Sequence, residues 1–207
     1  MARNARIKPR KHASQARSRA TVAALVEATA RVLVRDGYDQ ASTNRIAEVA
    51  GVSIGSLYQY FPSKEALVVA VIERHRREIM RVVRRAMADV ETLPIKPAVR
   101  RLVAAAVDGH RVNPQLHRVL AEHTPHLAGA PNLEAFNAEA HALFQAFLDR
   151  HREELRPVDT ALAAFVCVTS IEGITHTAVV HRPDVLSDDA LDALVDEATQ
   201  LVLRYLL

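Results

Sequence analysis

A chain of 207 residues has room for one large domain or two modest ones, and 49% hydrophobic side chains are enough for a real core. The sequence is read as having no apolar run long enough to span a bilayer, and its basic start lacks the apolar segment of a secretory signal. The single Cys167 cannot form an internal disulfide, so a reduced, cytoplasmic setting is expected. Aromatic residues are scarce and Trp is absent, while Ala, Val and Leu dominate, a mix that favours helix packing over a sheet. The net charge of +3 conceals a split. Residues 1–90 hold 17 Lys/Arg and 8 Asp/Glu, a balance of +9, and residues 91–207 hold 10 and 16, a balance of −6. A basic first third on an acidic remainder suggests a polyanion-binding module attached to a body with another job.

Residues 1–18 form a basic arm without apolar periodicity, suited to DNA phosphate or a minor groove, or else merely solubilising. From Arg19 onward Val22, Leu25, Val26, Val32 and Leu33 recur at three- and four-residue steps, which predicts an amphipathic helix ending near Asp36-Gly37. Residues 42–65 then read as two short helices, with a third starting straight after, and Tyr38 is expected to pack over their core. Thr43 is the expected cap of the first, Ile46, Ala47, Val49 and Ala50 its buried side, and Gly51 its terminator. Ser53 can cap the second, which is about two turns long and carries Ser56, Tyr58, Gln59 and Tyr60. A helix this short cannot stabilise itself, so neighbours hold it and its polar face is free for a partner. Helix, glycine turn, helix is the plan whose second helix enters the DNA major groove.

A longer helix is predicted from Ser63 to about Val90, with Glu65 in its first turn and a basic exposed side (Arg74, Arg76, Arg77, Arg81, Arg84, Arg85). That side is a solvated face or a field that steers the protein to DNA. Pro94 and Pro97 mark the expected domain boundary. Next come a helix through Val99, Leu102, Val103, Ala106 and Val107 closing near Gly109, and a short one over 114–123. A loop is expected over 124–131, then a helix through Leu133, Phe136, Ala140, Phe144 and Phe147. Pro157 is read as opening a helix that is apolar on most sides, from Leu162 to Val179, with Glu172 the odd residue. An unpaired charge there is costly, so Glu172 meets a partner side chain, a dimer edge or a ligand. Ser187 is the expected cap of the last helix, whose stripe runs Leu191, Leu194, Val195, Ala198, Leu201, Val202 and Tyr205. The chain is thus all-α, with about nine helices.

The string Gly51-Val52-Ser53-x-Gly55-x-Leu57-Tyr58-x-Tyr60-Phe61-x-x-Lys64-Glu65, with Thr43 and Ile46-Ala47 before it, resembles the tetracycline-repressor family of bacterial transcription regulators. The match runs from about Ala20 to Ala70. The resemblance implies backbone-phosphate contacts for Thr43, Tyr58 and Lys64, with core packing as the alternative for Tyr58. Tyr60 adds a second phenol. The base-readers are expected to be Ile54, Gly55, Ser56 and Gln59, with Asn44 from the preceding helix. The resemblance also implies a C-terminal ligand pocket and dimer. Leu102, Ala106, Leu120, Phe136, Ala140, Phe144, Phe165, Thr169 and Glu172 are the candidate lining, and Val179, Leu194, Ala198 and Leu201 the candidate interface. The expected organisation is a basic arm over 1–18, a helix-turn-helix domain over 19–64, a linking helix over 65–92 and a ligand-binding and dimerisation domain over 93–207.

Eight of the ten histidines lie after residue 100, but none has a metal-protease spacing, and no nucleophile elbow, phosphate loop or dinucleotide fingerprint is present. No cofactor, metal or catalytic residue is expected. The leading expectation is a homodimeric repressor that binds a near-palindromic operator in double-stranded DNA and is released by a small apolar or amphipathic effector. The alternatives are a ligand-independent DNA-binding regulator or architectural protein, and an enzyme acting in the C-terminal cavity.

Overall fold

The computed structural model describes residues 16–123 and 133–207, with side chains over 18–123 and 137–207. The basic arm before residue 16, the 124–131 loop and the Phe136 side chain therefore lie outside the described residues. The described residues form nine α-helices and two short 3-10 turns, with no strand among them. The helices are α1 (Ala16–Gln40), α2 (Thr43–Ala50), α3 (Ile54–Tyr60), α4 (Lys64–Asp89), α5 (Ile95–Arg111), α6 (Pro114–His123), α7 (Leu133–Arg150), α8 (Thr160–His181) and α9 (Asp188–Leu206).

The chain divides into two compact units. The first takes the described residues through His75 together with those from Gln115 onward in α6. The second takes Arg76–Pro114 and the described residues from 133 to Leu207. The division falls inside α4 rather than at Pro94 and Pro97. Pro94 is the cap residue of α5 and Pro97 sits in its first turn, where a missing N–H has no intrahelical partner to lose. The first unit also claims most of α6, because Leu116 and Leu120 are buried among Leu25, Leu33, Ile46, Leu57 and Phe61.

Several helix ends differ from the expected ones. In α1 the backbone leaves helical geometry at Gly37, with φ 76° and ψ 170°, and helix-like turns resume to Gln40. Gly109 does not close α5. It is buried inside the helix, where a Cβ would stand 3.3 Å from Ile79 Cγ2, so its missing side chain lets α4 and α5 approach within the second unit. Pro157 does not open α8. Asp159 does, its carboxylate accepting from the N–H groups of Ala161 (2.8 Å) and Leu162 (3.2 Å). Ser187 occupies the cap position of α9 but makes no side-chain capping bond.

The second unit is organised around α5, α7, α8 and α9. Val99, Val103, Phe147, Leu148, Ala163, Ala164, Val195 and Val202 meet in one core. Of the α9 stripe, Val195, Ala198 and Val202 are thus buried within its own unit. By length and composition α8 is long and apolar enough to cross a membrane, contrary to the expectation from the sequence. Its Ala163, Ala164, Cys167 and Ile171 side is nonetheless central to this core, and core helices of water-exposed domains pass the same test.

Candidate DNA-contact surface and ligand cavity

In the first unit, local chemistry fixes the two short helices. Ser42, not Thr43, caps α2, its hydroxyl accepting from Arg45 N–H at 3.2 Å, which leaves Thr43 as the first helical residue. Gly51 ends α2 in the left-handed region, φ 68° and ψ 30°, and its N–H bonds back to the carbonyls of Ala47 and Glu48. Ser53 caps α3, accepting from Ser56 N–H at 3.1 Å, and the two serine hydroxyls lie 2.9 Å apart. Leu57 and Phe61 are buried, as core residues should be. They anchor one face of α3 and leave the other open.

Asn44, Ile54, Gly55, Tyr58 and Gln59 are exposed on α2 and α3, and Ser56 is half-buried. The Tyr58 ring is 43% exposed, and its hydroxyl lies 3.0 Å from Thr43 Oγ1, which ties the start of α2 to the middle of α3. Core packing of Tyr58 is thereby set aside. Tyr60 is different. It is only 9% exposed, and its hydroxyl donates to Ser18 Oγ at 3.2 Å, so it braces α3 against α1 and its phenol is not presented outward. Lys64 donates to the carbonyl of Tyr38 at 2.9 Å, with its ammonium 4.1 Å from the centre of the Tyr38 ring. The same ring stacks on His123, with centroids 4.5 Å apart. Tyr38 and Ser18 thus seat residues that sequence spacing singled out, although both lie far away in the chain and no local pattern marks them for this.

The second unit holds a cavity of about 110 Å³. Among the candidates, Leu102, Ala106, Ala140, Phe144 and Glu172 line it. Leu120 does not, because it belongs to the core of the first unit. Phe165 (53% exposed) and Thr169 point out of α8, an assignment that an all-round apolar helix could not disclose beforehand. The lining missed by periodicity is contributed by Ile79, Met80, Val83 and Met87 on α4, and by His110 and Cys167. Burial lowers the pKa of His110, whose Nδ1 lies 2.8 Å from the Ala106 carbonyl and donates to it. Burial pushes the Cys167 thiol up to about 12 and raises the carboxyl of Glu172 against the opposing pull of His141, His176 and Arg76. Of the interface candidates, Val179 and Ala198 are buried inside the chain, Leu194 is half-buried and Leu201 is exposed. Ala198 is held by its own unit, where the inward side of α9 packs on α5.

Family comparison adds two matches. The description "Bacterial regulatory proteins, tetR family" matches residues 25–71, and "Tetracyclin repressor-like, C-terminal domain" matches residues 94–206. Among characterised relatives, the nucleoid occlusion factor SlmA of Actinobacillus pleuropneumoniae is 32% identical over 88 residues, covering 42% of this chain and 43% of that protein. The transcriptional activator FasR of Mycolicibacterium smegmatis is 36% identical over 98 residues, covering 47% and 44%. These alignments span under half the length of either partner. A TetR-family regulator from Mesorhizobium loti, solved by crystallography, shares the fold with a TM-score of 0.76 at 20% identity, over 93% of this chain and 99% of that one.

Proposed function

We propose that this chain, which belongs to the tetracycline-repressor family and is a DNA-binding transcription regulator, acts as a homodimeric repressor released from a near-palindromic operator by a small molecule. The observation that carries the ligand half of this reading is the apolar cavity in the second unit, lined by α4, α5, α7, α8 and α9. A DNA-binding protein controlled without a small molecule has no use for such a space and would favour a filled core. An apolar lining selects an apolar or amphipathic effector.

The DNA half rests on the open face of α2 and α3. Gln59 can bond adenine through two hydrogen bonds, and Ile54 can meet a thymine methyl. Asn44, Ser56 and Gly55 complete the base-facing set. Thr43, Tyr58 and Lys64 contact phosphate and fix the register. Tyr60 supports the surface from beneath. A helix of two turns reads few base pairs, so two copies related by a twofold axis are needed to specify a site. Leu201 on α9, with Leu162 and Phe165 on α8, supplies exposed apolar surface for that contact. The protein works in the cytoplasm, on the nucleoid.

Selection of bound DNA from a random pool tests this reading. Enrichment of a near-palindrome with half-sites about one helical turn or more apart is expected. An asymmetric single half-site, or no preference over random DNA, overturns it.

A further inference from the structure

We propose that the cavity of the second unit takes a small hydrophobic cation, an amine on an apolar body about one ring in size, with Glu172 as its counter-charge. This rests on reading the cavity as the effector site and names the chemistry that site selects.

Glu172 lines the cavity from α8, among Ile79, Met87, Leu102, Ala106 and Phe144. Among the described residues its carboxyl makes no hydrogen bond or ion pair. The other ionisable lining groups leave it alone in charge. Burial disfavours the charged form of His110 on α5, and the Cys167 thiol, also on α8, ionises only near 12. From α9 the lining residue is Val202, which carries no charge. The positive or protonatable groups that act on Glu172 are Arg76 on α4, His141 on α7 and His176 on α8, and none of them lines the cavity. Their combined pull is smaller than the cost of burial, since the carboxyl still titrates above its ordinary value. The wall therefore offers one under-compensated negative charge in an otherwise apolar surface.

The occupant that gains most there brings its own positive charge. In a low-dielectric space a matched charge is worth several times its value in water, whereas an anion is repelled and a neutral alcohol gains a single hydrogen bond. Size narrows the choice further. A cavity of about 110 Å³ is of the same order as the roughly 150 Å³ engineered space that holds a benzene.

Three probes of one shape separate the possibilities: 2-phenylethylamine, 2-phenylethanol and phenylacetate, titrated calorimetrically into the full chain near pH 8, where an amine is charged. The amine should bind at least about tenfold more tightly than the alcohol, with phenylacetate weakest. Glu172→Gln should erase the preference for the amine and spare the alcohol. Lowering the pH should weaken the amine as Glu172, whose carboxyl is held above its ordinary value by burial, takes up a proton. Ala106→Phe should abolish all binding by filling the space, and Ala140→Leu does the same should the first variant not fold. An amine no tighter than the alcohol, or unaffected by Glu172→Gln, overturns the cation assignment and leaves the cavity as an effector site. No binding by any probe, or binding that survives both filling variants, overturns the cavity reading as well. Amine binding in the cavity with unchanged affinity for the selected operator overturns the effector reading alone.

Discussion

A Cβ built at Gly55 meets nothing nearer than Ser53 Oγ at 4.0 Å, so the fold itself does not require glycine there. Alanine holds a helix better than glycine by up to about 1 kcal/mol. Gly55→Ala should therefore leave thermal stability equal or raised while weakening operator binding, because the missing side chain is useful only where a base pair comes close. Denaturation and fluorescence anisotropy on the same sample check both halves, and unchanged affinity would mean that α3 stands off from the bases. Glu172 makes a second case at this scale. Its folded-state pKa lies above its unfolded value, so the folded state holds the proton more tightly. The contribution of Glu172 to stability is then most favourable in acid and falls as pH rises from the ordinary glutamate range, near 4.3, through the raised value. Glu172→Gln, which carries no such charge, should be more stable than the parent at neutral pH, with the difference closing in acid. Thermal melts across pH that run parallel for the two proteins would remove the buried-charge account.

The elements of the first unit show what can be read from sequence and what cannot. Capping hydroxyls, the left-handed Gly51 and the buried Leu57 and Phe61 act within a few residues of themselves, so spacing discloses them. The cap of α2 still shifts by one residue, because Ser42 and Thr43 offer the same chemistry side by side. The seat of Lys64 on Tyr38 bridges residues 26 apart in sequence, and the tie from Tyr60 to Ser18 bridges 42, distances at which spacing is silent. The same holds for α6, whose Leu116 and Leu120 are periodic in any context and gave no sign of joining the first core. The lysine seat also makes a prediction. Lys64→Ala should weaken binding to every DNA sequence and flatten the salt dependence by roughly one unit of slope per subunit. Tyr38→Leu keeps the lysine charge and the backbone carbonyl but removes the ring beneath the ammonium, so affinity should fall with the slope retained. Gln59→Ala should relax preference at one base position. Salt titrations of all three on specific and random duplexes separate positioning from reading, and identical behaviour would dissolve that distinction.

At the scale of the whole molecule, burial decides which surfaces remain for assembly and which helices can carry a signal. Val179 and Ala198 are used within the chain, which shifts the proposed dimer contact toward Leu162, Phe165 and Leu201. Phe165→Glu or Leu201→Glu should give monomers with much weaker operator binding and near-native folding, since each side chain is already exposed. Sedimentation showing an intact dimer for both would place the interface elsewhere. The signal has a covalent route. The helix that begins with Lys64 continues to Ile79, Met80, Val83 and Met87, all of which line the cavity. An effector can shift the population of DNA-competent molecules only through unequal affinity for the two states. The coupling is then reciprocal: operator must weaken effector binding by the factor by which effector weakens operator binding. Calorimetry of 2-phenylethylamine with and without saturating operator measures one arm, and operator titration with and without the amine measures the other. Equal factors of about five or more support induction through one linked equilibrium, since coupling of about 1 kcal/mol or above is the usual range. An amine affinity indifferent to operator would separate the cavity from DNA binding, and a regulator controlled by some other input would be the better account of the protein.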